Sequence, residues 1–290
     1  LFGSRYKAGS EVAGGTILIF IGLHTLIEAL DSSGATSNSD IFFGMLIPLA
    51  GTVLGAAYVY ASNNKLSEDL RITLAGVTSG IMFSIAVWGL IDPVTHVLSG
   101  SSIYLFISFI AGVIFQYVLD HLVPHTHAYA EITEGLSSDL SGAARMTLAA
   151  VIHHVPEGIA LGAVYAGHFM ETDWIAASTA LILALALAMQ NFPEALFVSL
   201  PVHEKGTETS KAFLLGVVSG VPVPLMGVIT VMLAVLLPSL LPHIMALAAG
   251  AMIYNTIEEL PQLTAGRDND RGTLAFVAGF AVVMLLILMN

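Results

Sequence analysis

Apolar residues run along the chain in long blocks, separated by short polar segments rich in turn formers. The blocks lie near 12–30, 41–62, 72–91, 102–120, 146–166, 175–201, 212–237, 239–261 and 273–290. A helix of about 20 apolar residues is long enough to cross the hydrocarbon core of a bilayer. Between the blocks stand DSSGATSNSD at 31–40 and polar breaks at 62–69, 92–101, 167–173, 203–210 and 266–271. The pattern predicts an all-α polytopic integral membrane protein with nine spans. Periodicity decides little, because buried membrane helices are apolar nearly all round, so block length and loop composition carry the assignment.

Composition narrows the class further. Of 290 residues, 56% are hydrophobic and 10% charged, and the mean hydropathy is +0.85, whereas an average soluble domain is about 25% charged. A single membrane domain without a sizeable soluble one is expected, with the lipid bilayer as its surroundings. The absence of cysteine removes disulfides and thiolate sites, and leaves His and carboxylates for any metal chemistry. Nine basic against 21 acidic residues give a net charge of −12. No basic patch exists for a nucleic-acid partner, and cations suit this balance better.

The basic residues predict an orientation. With nine spans, Arg5, Lys7, Lys65, Arg71, Arg145, Lys205, Lys211, Arg267 and Arg271 all fall on one side. The positive-inside rule makes that side the cytoplasm, with the N-terminus inside, the C-terminus outside, and the protein in the cell (inner or plasma) membrane. The opposite loops hold Asp31, Asp40, Asp92, Glu171 and Asp173 and no Lys or Arg, so the outer face should attract cations. The block at 12–30 follows Arg5 and Lys7, as a signal peptide would, but a signal core usually runs about 7 to 15 residues. This block is longer and contains His24 and Glu28, and is assigned as a retained span.

Two spans carry carboxylates at their middle, where insertion costs about 2.5 to 3.5 kcal/mol each. The fifth reads His153-His154-Val155-Pro156-Glu157-Gly158 and the sixth Gln190-Asn191-Phe192-Pro193-Glu194-Ala195. Both follow one pattern: two polar residues, an apolar one, Pro, Glu and a small residue. Spacings of three and four put His153, His154 and Glu157 on one helix face, and Gln190, Asn191 and Glu194 on another. Each proline frees the carbonyl four residues earlier, at Ile152 and Met189. Antiparallel packing of the two spans would bring two imidazoles, two carboxylates and two amides together as a coordination sphere for a divalent cation, with nitrogen favouring zinc, iron, cobalt or nickel. The bland alternative is a harmless proline kink beside a hydrogen-bonded His and a protonated Glu. Two matching motifs on consecutive spans, with no mid-span Lys or Arg, argue against it.

These motifs, with the later stretch Ala248-Ala249-Gly250-Ala251-Met252-Ile253, resemble the ZIP (Zrt-, Irt-like protein) divalent metal transporters over most of the chain. The resemblance implies an eight-helix transport domain at 41–290, preceded at 1–40 by an extra helix and outer loop. It also implies metal held between the fourth and fifth core helices, import toward the cytoplasm, elevator-like alternating access and frequent homodimerisation. By this likeness His153, Glu157, Gln190 and Glu194 match the primary metal site, and His154 and Asn191 match a second, adjacent one. There are departures: the family usually has Asn where His154 stands, and binuclear bacterial members have Asp in place of Asn191 and a bridging Glu in place of Val223. One strong site is expected, not a binuclear centre.

Other constellations are secondary. The loop Asp120-His121-Leu122-Val123-Pro124-His125-Thr126-His127, followed by Glu131 and Glu134, is similar to the family's metal-binding cytoplasmic loop. His125 and His127, one residue apart, can chelate together only from extended backbone, which suggests a flexible site receiving ions from the pore. Glu258 and Glu259 near the cytoplasmic end of the eighth span are exit candidates, and Asp92 an entrance residue. His24 and Glu28 share a face and are expected to pair with each other, while His96, His168, His203 and His243 have no assigned role. The expected function is transport, not enzymatic turnover, of zinc or another divalent transition metal (iron, manganese, cobalt or cadmium). The rival is an intramembrane metallohydrolase using the same His and Glu; no His-Glu-x-x-His is present, and the two motifs supply a full shell with no open position.

Overall fold

The computed structural model describes residues 38–61, 66–97, 102–126, 133–175, 177–264 and 270–289. The block at 12–30, with His24 and Glu28, lies outside the described residues. Eight helical units among the described residues are long and apolar enough to cross a membrane. They are α1 (Asn38–Ala61), α2 (Glu68–Val97), α3 (Ser102–Leu122), α4 (Gly142–Phe169), α5 (Ala177–Glu204), the pair α6 (Thr209–Ser219) and α7 (Pro222–Leu236), α8 (Leu241–Thr264) and α9 (Asp270–Leu288). The chain is a multi-pass helical membrane protein, as the block pattern predicts. The sheet consists of two short antiparallel strands, β1 (His125–Thr126) and β2 (Thr133–Glu134).

Local chemistry sets the element ends. Ser67 and Ser141 stand at the N-caps of α2 and α4, accepting from the Leu70 and Ala144 amides at 3.3 and 3.2 Å. Glu68 and Asp69 fill the first turn of α2, where carboxylates suit the positive end of the helix dipole. Two boundaries differ from the block pattern. The α2 unit continues past residue 91 to Val97 by way of a π-helical turn at Ile85–Ile91. The block at 212–237 is interrupted at Gly220–Val221, because Pro222 has no amide to continue the ladder of α6 and instead begins α7. Gly220 also touches Thr52 of α1 where a Cβ would collide.

The helices sort into two bundles. In the first, α1 packs on α5 and α4 on α7; in the second, α2 packs on α9 and α3 on α8. Glycines bring the backbones of these pairs into direct contact: Gly55 against the Phe192 carbonyl, Gly162 against Gly227, Gly80 against Phe276, Gly112 against Leu247. Each helical glycine whose added Cβ would fall against a neighbouring backbone has that neighbour in its own bundle. Between the bundles α4 meets α8 and α2 meets α5, and there the Cβ position of Gly89 meets a side-chain atom of α5, Leu183 Cδ1, at 3.8 Å. The motif helices lie innermost, with 78% of the most apolar stretch of α4 and 67% of that of α5 buried, against 11% for α3. At one end, Arg271 Nη2 reaches Asp69 Oδ2 at 3.3 Å and ties the starts of α9 and α2 together. The described cations Arg71, Arg145, Lys205, Lys211 and Arg271 all lie at this end.

The glycine seams predict an asymmetric response to one methyl group. Gly55→Ala forces the α1–α5 seam apart and should cost about 1 to 3 kcal/mol, as overpacking does, seen as a lower thermal unfolding midpoint in detergent. Gly142→Ala, where the added Cβ meets nothing within 4 Å, should leave that midpoint unchanged or slightly raised.

Candidate metal centre

Five of the six motif residues converge between α4 and α5. Glu157 is fully buried and takes donors on both oxygens. Gln190 Nε2 donates to Glu157 Oε1, and the Asn191 amide fits with its nitrogen toward Glu157 Oε2 (3.0 Å) and Leu187 O (2.9 Å). His154 Nε2 lies 2.9 Å from Glu194 Oε2 and 4.0 Å from Glu157 Oε2. One ligand atom each from His154, Glu157 and Glu194 lies within 4.8 Å of the other two, and all three residues are buried. One imidazole nitrogen with two carboxylate oxygens is a ligand set for a borderline divalent ion.

The sixth residue faces elsewhere. A helix turns about 100° per residue, so His153 cannot share the direction of His154. His153 Nδ1 instead lies 3.3 Å from Glu259 Oε1 of α8, in the second bundle. Ser79 of α2 donates to the other Glu259 oxygen at 3.2 Å. The spacing rule placed both imidazoles near Glu157, and it could not tell which one α8 would draw away. Glu259, expected on an exit path, is therefore a neighbour of the centre through His153. Val223, buried in the first turn of α7, has its carbonyl against Gly158 and presents no ligand atom.

A second cluster lies beside the hairpin. Asp120 at the end of α3, His125 of β1, Glu134 of β2 and Glu258 of α8 bring one ligand atom each to within 4.8 Å of the others. His125 Nε2 is 3.1 Å from Asp120 Oδ1 and 4.0 Å from Glu134 Oε2, while Nδ1 is 2.9 Å from Val123 O. The expectation of a flexible site does not hold for His125, which is fully buried on a paired strand. Gly135, directly after β2, has φ +81°, and a Cβ there would collide with the Val123 carbonyl. His127 lies outside the described residues. A cavity of about 450 Å³ opens beside the cluster, lined by Asp120, His121, Glu134, Gly135, Tyr254 and Glu258. Asp120 and Glu134 were legible only as loop neighbours, since the pairing of His125 with Glu134 in the hairpin brings them together. Asp92 joins neither cluster; it sits at the exit of the π turn, half exposed, 4.0 Å from His96.

Fold and site together define a polytopic helical membrane protein with a buried nitrogen and carboxylate ligand set between two spans that each run through a mid-helix proline. No family model matches the chain. It is 38% identical over 144 residues to zinc transporter ZIP11 of Homo sapiens, a match covering 49% of this chain and 42% of that protein. With zinc transporter ZIP11 of Bos taurus it is 26% identical over 334 residues, covering 87% of this chain and 98% of that protein. With zinc transporter ZupT of Escherichia coli O7:K1 it is 28% identical over 263 residues, covering 83% and 98%. The match to the human relative thus spans less than half of that protein's length. The chain is thus similar to these zinc transporters, over as much as 87% of its own length.

The double satisfaction of Glu157 yields a prediction that needs no metal. Gln190→Leu strips the donor from one oxygen of a fully buried carboxylate and should destabilise the metal-free protein by about 1 to 3 kcal/mol, read as a lower unfolding midpoint in detergent. An unchanged midpoint would show that the hydrogen bond to Gln190 contributes nothing to the resting site.

Proposed function

We propose that the protein transports a divalent metal ion, zinc first, across the membrane toward the cytoplasm. One observation carries the proposal: His154, Glu157 and Glu194 gather ligand atoms within 4.8 Å of one another inside the two most buried spans. Charged groups at that depth are costly and mark ion pathways. The relatives' names, zinc transporters in each case, support the same substrate class.

In this reading the ion enters from the acidic outer face, past Asp92. It sheds water stepwise at mid-membrane and binds to Glu157 and Glu194 for charge, His154 and His153 for nitrogen, and Gln190 and Asn191 for the remaining positions. It leaves by way of Glu259 and Glu258 to the hairpin cluster at His125, and His127 belongs to the same exit. The grouping of described cations at the hairpin end supports a cytoplasmic assignment for that end. The movement is elevator-like: the bundle of α1, α4, α5 and α6–α7 carries the site against the bundle of α2, α3, α8 and α9. Glycine-locked seams within each bundle, and the side-chain contact of Gly89 with Leu183 between them, support two bodies that keep their shape while sliding. The transport domain of 41–290 and a homodimer in the cell membrane rest on the resemblance to ZIP proteins. No observation favours the metallohydrolase, since the amides of Gln190 and Asn191 close around Glu157, where hydrolysis would need an open position for water.

The test is uptake into proteoliposomes loaded with a fluorescent chelator, run separately with zinc, iron, manganese, cobalt and cadmium. Saturable flux for zinc, lost in Glu157→Ala plus Glu194→Ala, is the expected result. Absence of flux for every ion, from correctly inserted protein, overturns the proposal. Protons and metal compete for the same lone pairs, so zinc affinity in detergent should fall between about pH 7.5 and about pH 5.5. Binding that stays constant over this interval excludes these imidazoles and carboxylates as the ligands.

A further inference from the structure

Pro156 has no amide hydrogen, so the Ile152 carbonyl one turn earlier loses its intrahelical donor. Lipid cannot satisfy it, and a neighbouring helix, a side chain or an ordered water must. That donor is Gln116 of α3, whose Nε2 reaches Ile152 O at 3.3 Å. One residue on, Asn255 of α8 donates through Nδ2 to the His153 carbonyl at 3.4 Å. Both amides are fully buried. Neither belongs to the bundle that contains Ile152 and His153; both come from the bundle opposite. With the contact of Glu259 on the His153 ring, the second bundle grips the main chain and the side chain of one short segment, immediately before His154.

A proline break repaired from within its own bundle would move with it unchanged. Here the repair depends on how the two bundles are aligned. We propose that Gln116 and Asn255 are positioning residues that grip the Ile152–His153 backbone from across the bundle boundary. Their two hydrogen bonds hold the metal-site segment in the alignment seen here, and movement of the site past α3 and α8 requires both to break. Gln116 acts only because Pro156 leaves Ile152 O open. Asn255 acts on a carbonyl that also has its own helical partner, the Glu157 amide.

That difference gives the test. The chain contains no cysteine, so Gly89→Cys with Leu183→Cys places a thiol pair where the bundles meet, and the rate of joining by a short thiol-reactive cross-linker reports this alignment. Gln116→Met and Asn255→Leu should each lower the equilibrium constant for this alignment about threefold, the worth of one average side-chain hydrogen bond between membrane helices, and the rate by up to that factor. In a Pro156→Ala background, where Ile152 O regains an intrahelical donor, Gln116→Met should have no further effect, whereas Asn255→Leu should keep its own. Equal losses from Gln116→Met in both backgrounds overturn the assignment, as does an unchanged rate in both single variants. If Gln116→Met is not recovered folded, the Asn255→Leu rate and the comparison of Pro156→Ala with Pro156→Ala plus Gln116→Met still decide.

The proposal rests on the two-bundle movement inferred above, but cross-linking without metal reads alignment whether or not zinc moves. In proteoliposomes the same variants should change the maximal zinc flux while the half-saturating zinc concentration stays within about twofold, because neither amide belongs to the proposed shell. A large shift in half-saturation alone would make them metal-site residues and overturn the positioning role.

Discussion

Two carboxylates in the driest part of the molecule are the constraint around which the rest is arranged. Glu157 and Glu194 cannot be left bare inside apolar packing, since an uncompensated buried charge costs several kcal/mol. The structure answers with amide donors from Gln190 and Asn191 on one carboxylate and the His154 imidazole on the other. These partners must be rigidly supplied, which puts α4 and α5 at the centre of the fold. The small residues that let neighbouring helices close on them follow from the same need: Gly55 lets α1 onto α5, and Gly158 and Gly162 let α7 onto α4.

Much of this was legible in the chain. Eight blocks correspond to the eight described spans, because bilayer-length apolar runs between polar breaks leave few alternatives. The paired motifs were legible too, since a mid-span Glu after Pro is costly enough to need a reason. What sequence could not supply were relations between helices distant along the chain. His153 and His154 look equivalent by spacing, and only the approach of α8 separates them, drawing one ring to Glu259 and leaving the other beside Glu194. The hairpin is a similar case: strands of two residues carry no alternation to read, yet their pairing buries His125 against Asp120 and Glu134. The break at Gly220–Val221 was hidden because an apolar block shows hydropathy and not continuity, although Pro222 and Pro224 signal an interruption.

Proline does two jobs in α4. It removes one amide from the helical ladder where polar side chains gather, and it exposes a carbonyl that something else must then satisfy. Choosing that donor from the opposite bundle converts a local defect into a contact sensitive to alignment. The same residue type does something different at Pro222, where the missing amide simply ends one helical segment and starts another. Reading a proline in such a protein thus means asking which carbonyl it releases and what reaches it, since the kink alone is uninformative.

Glu258 and Glu259 are neighbours on α8 that serve different clusters, one at the hairpin and one at His153. Their angular separation is set by the helix itself and cannot be adjusted by either site. A rotation of α8 about its axis would re-aim both carboxylates together, as two teeth on one gear. The hairpin cluster and the interior centre are therefore not independently tunable, and a change of geometry at one is felt as a change of angle at the other.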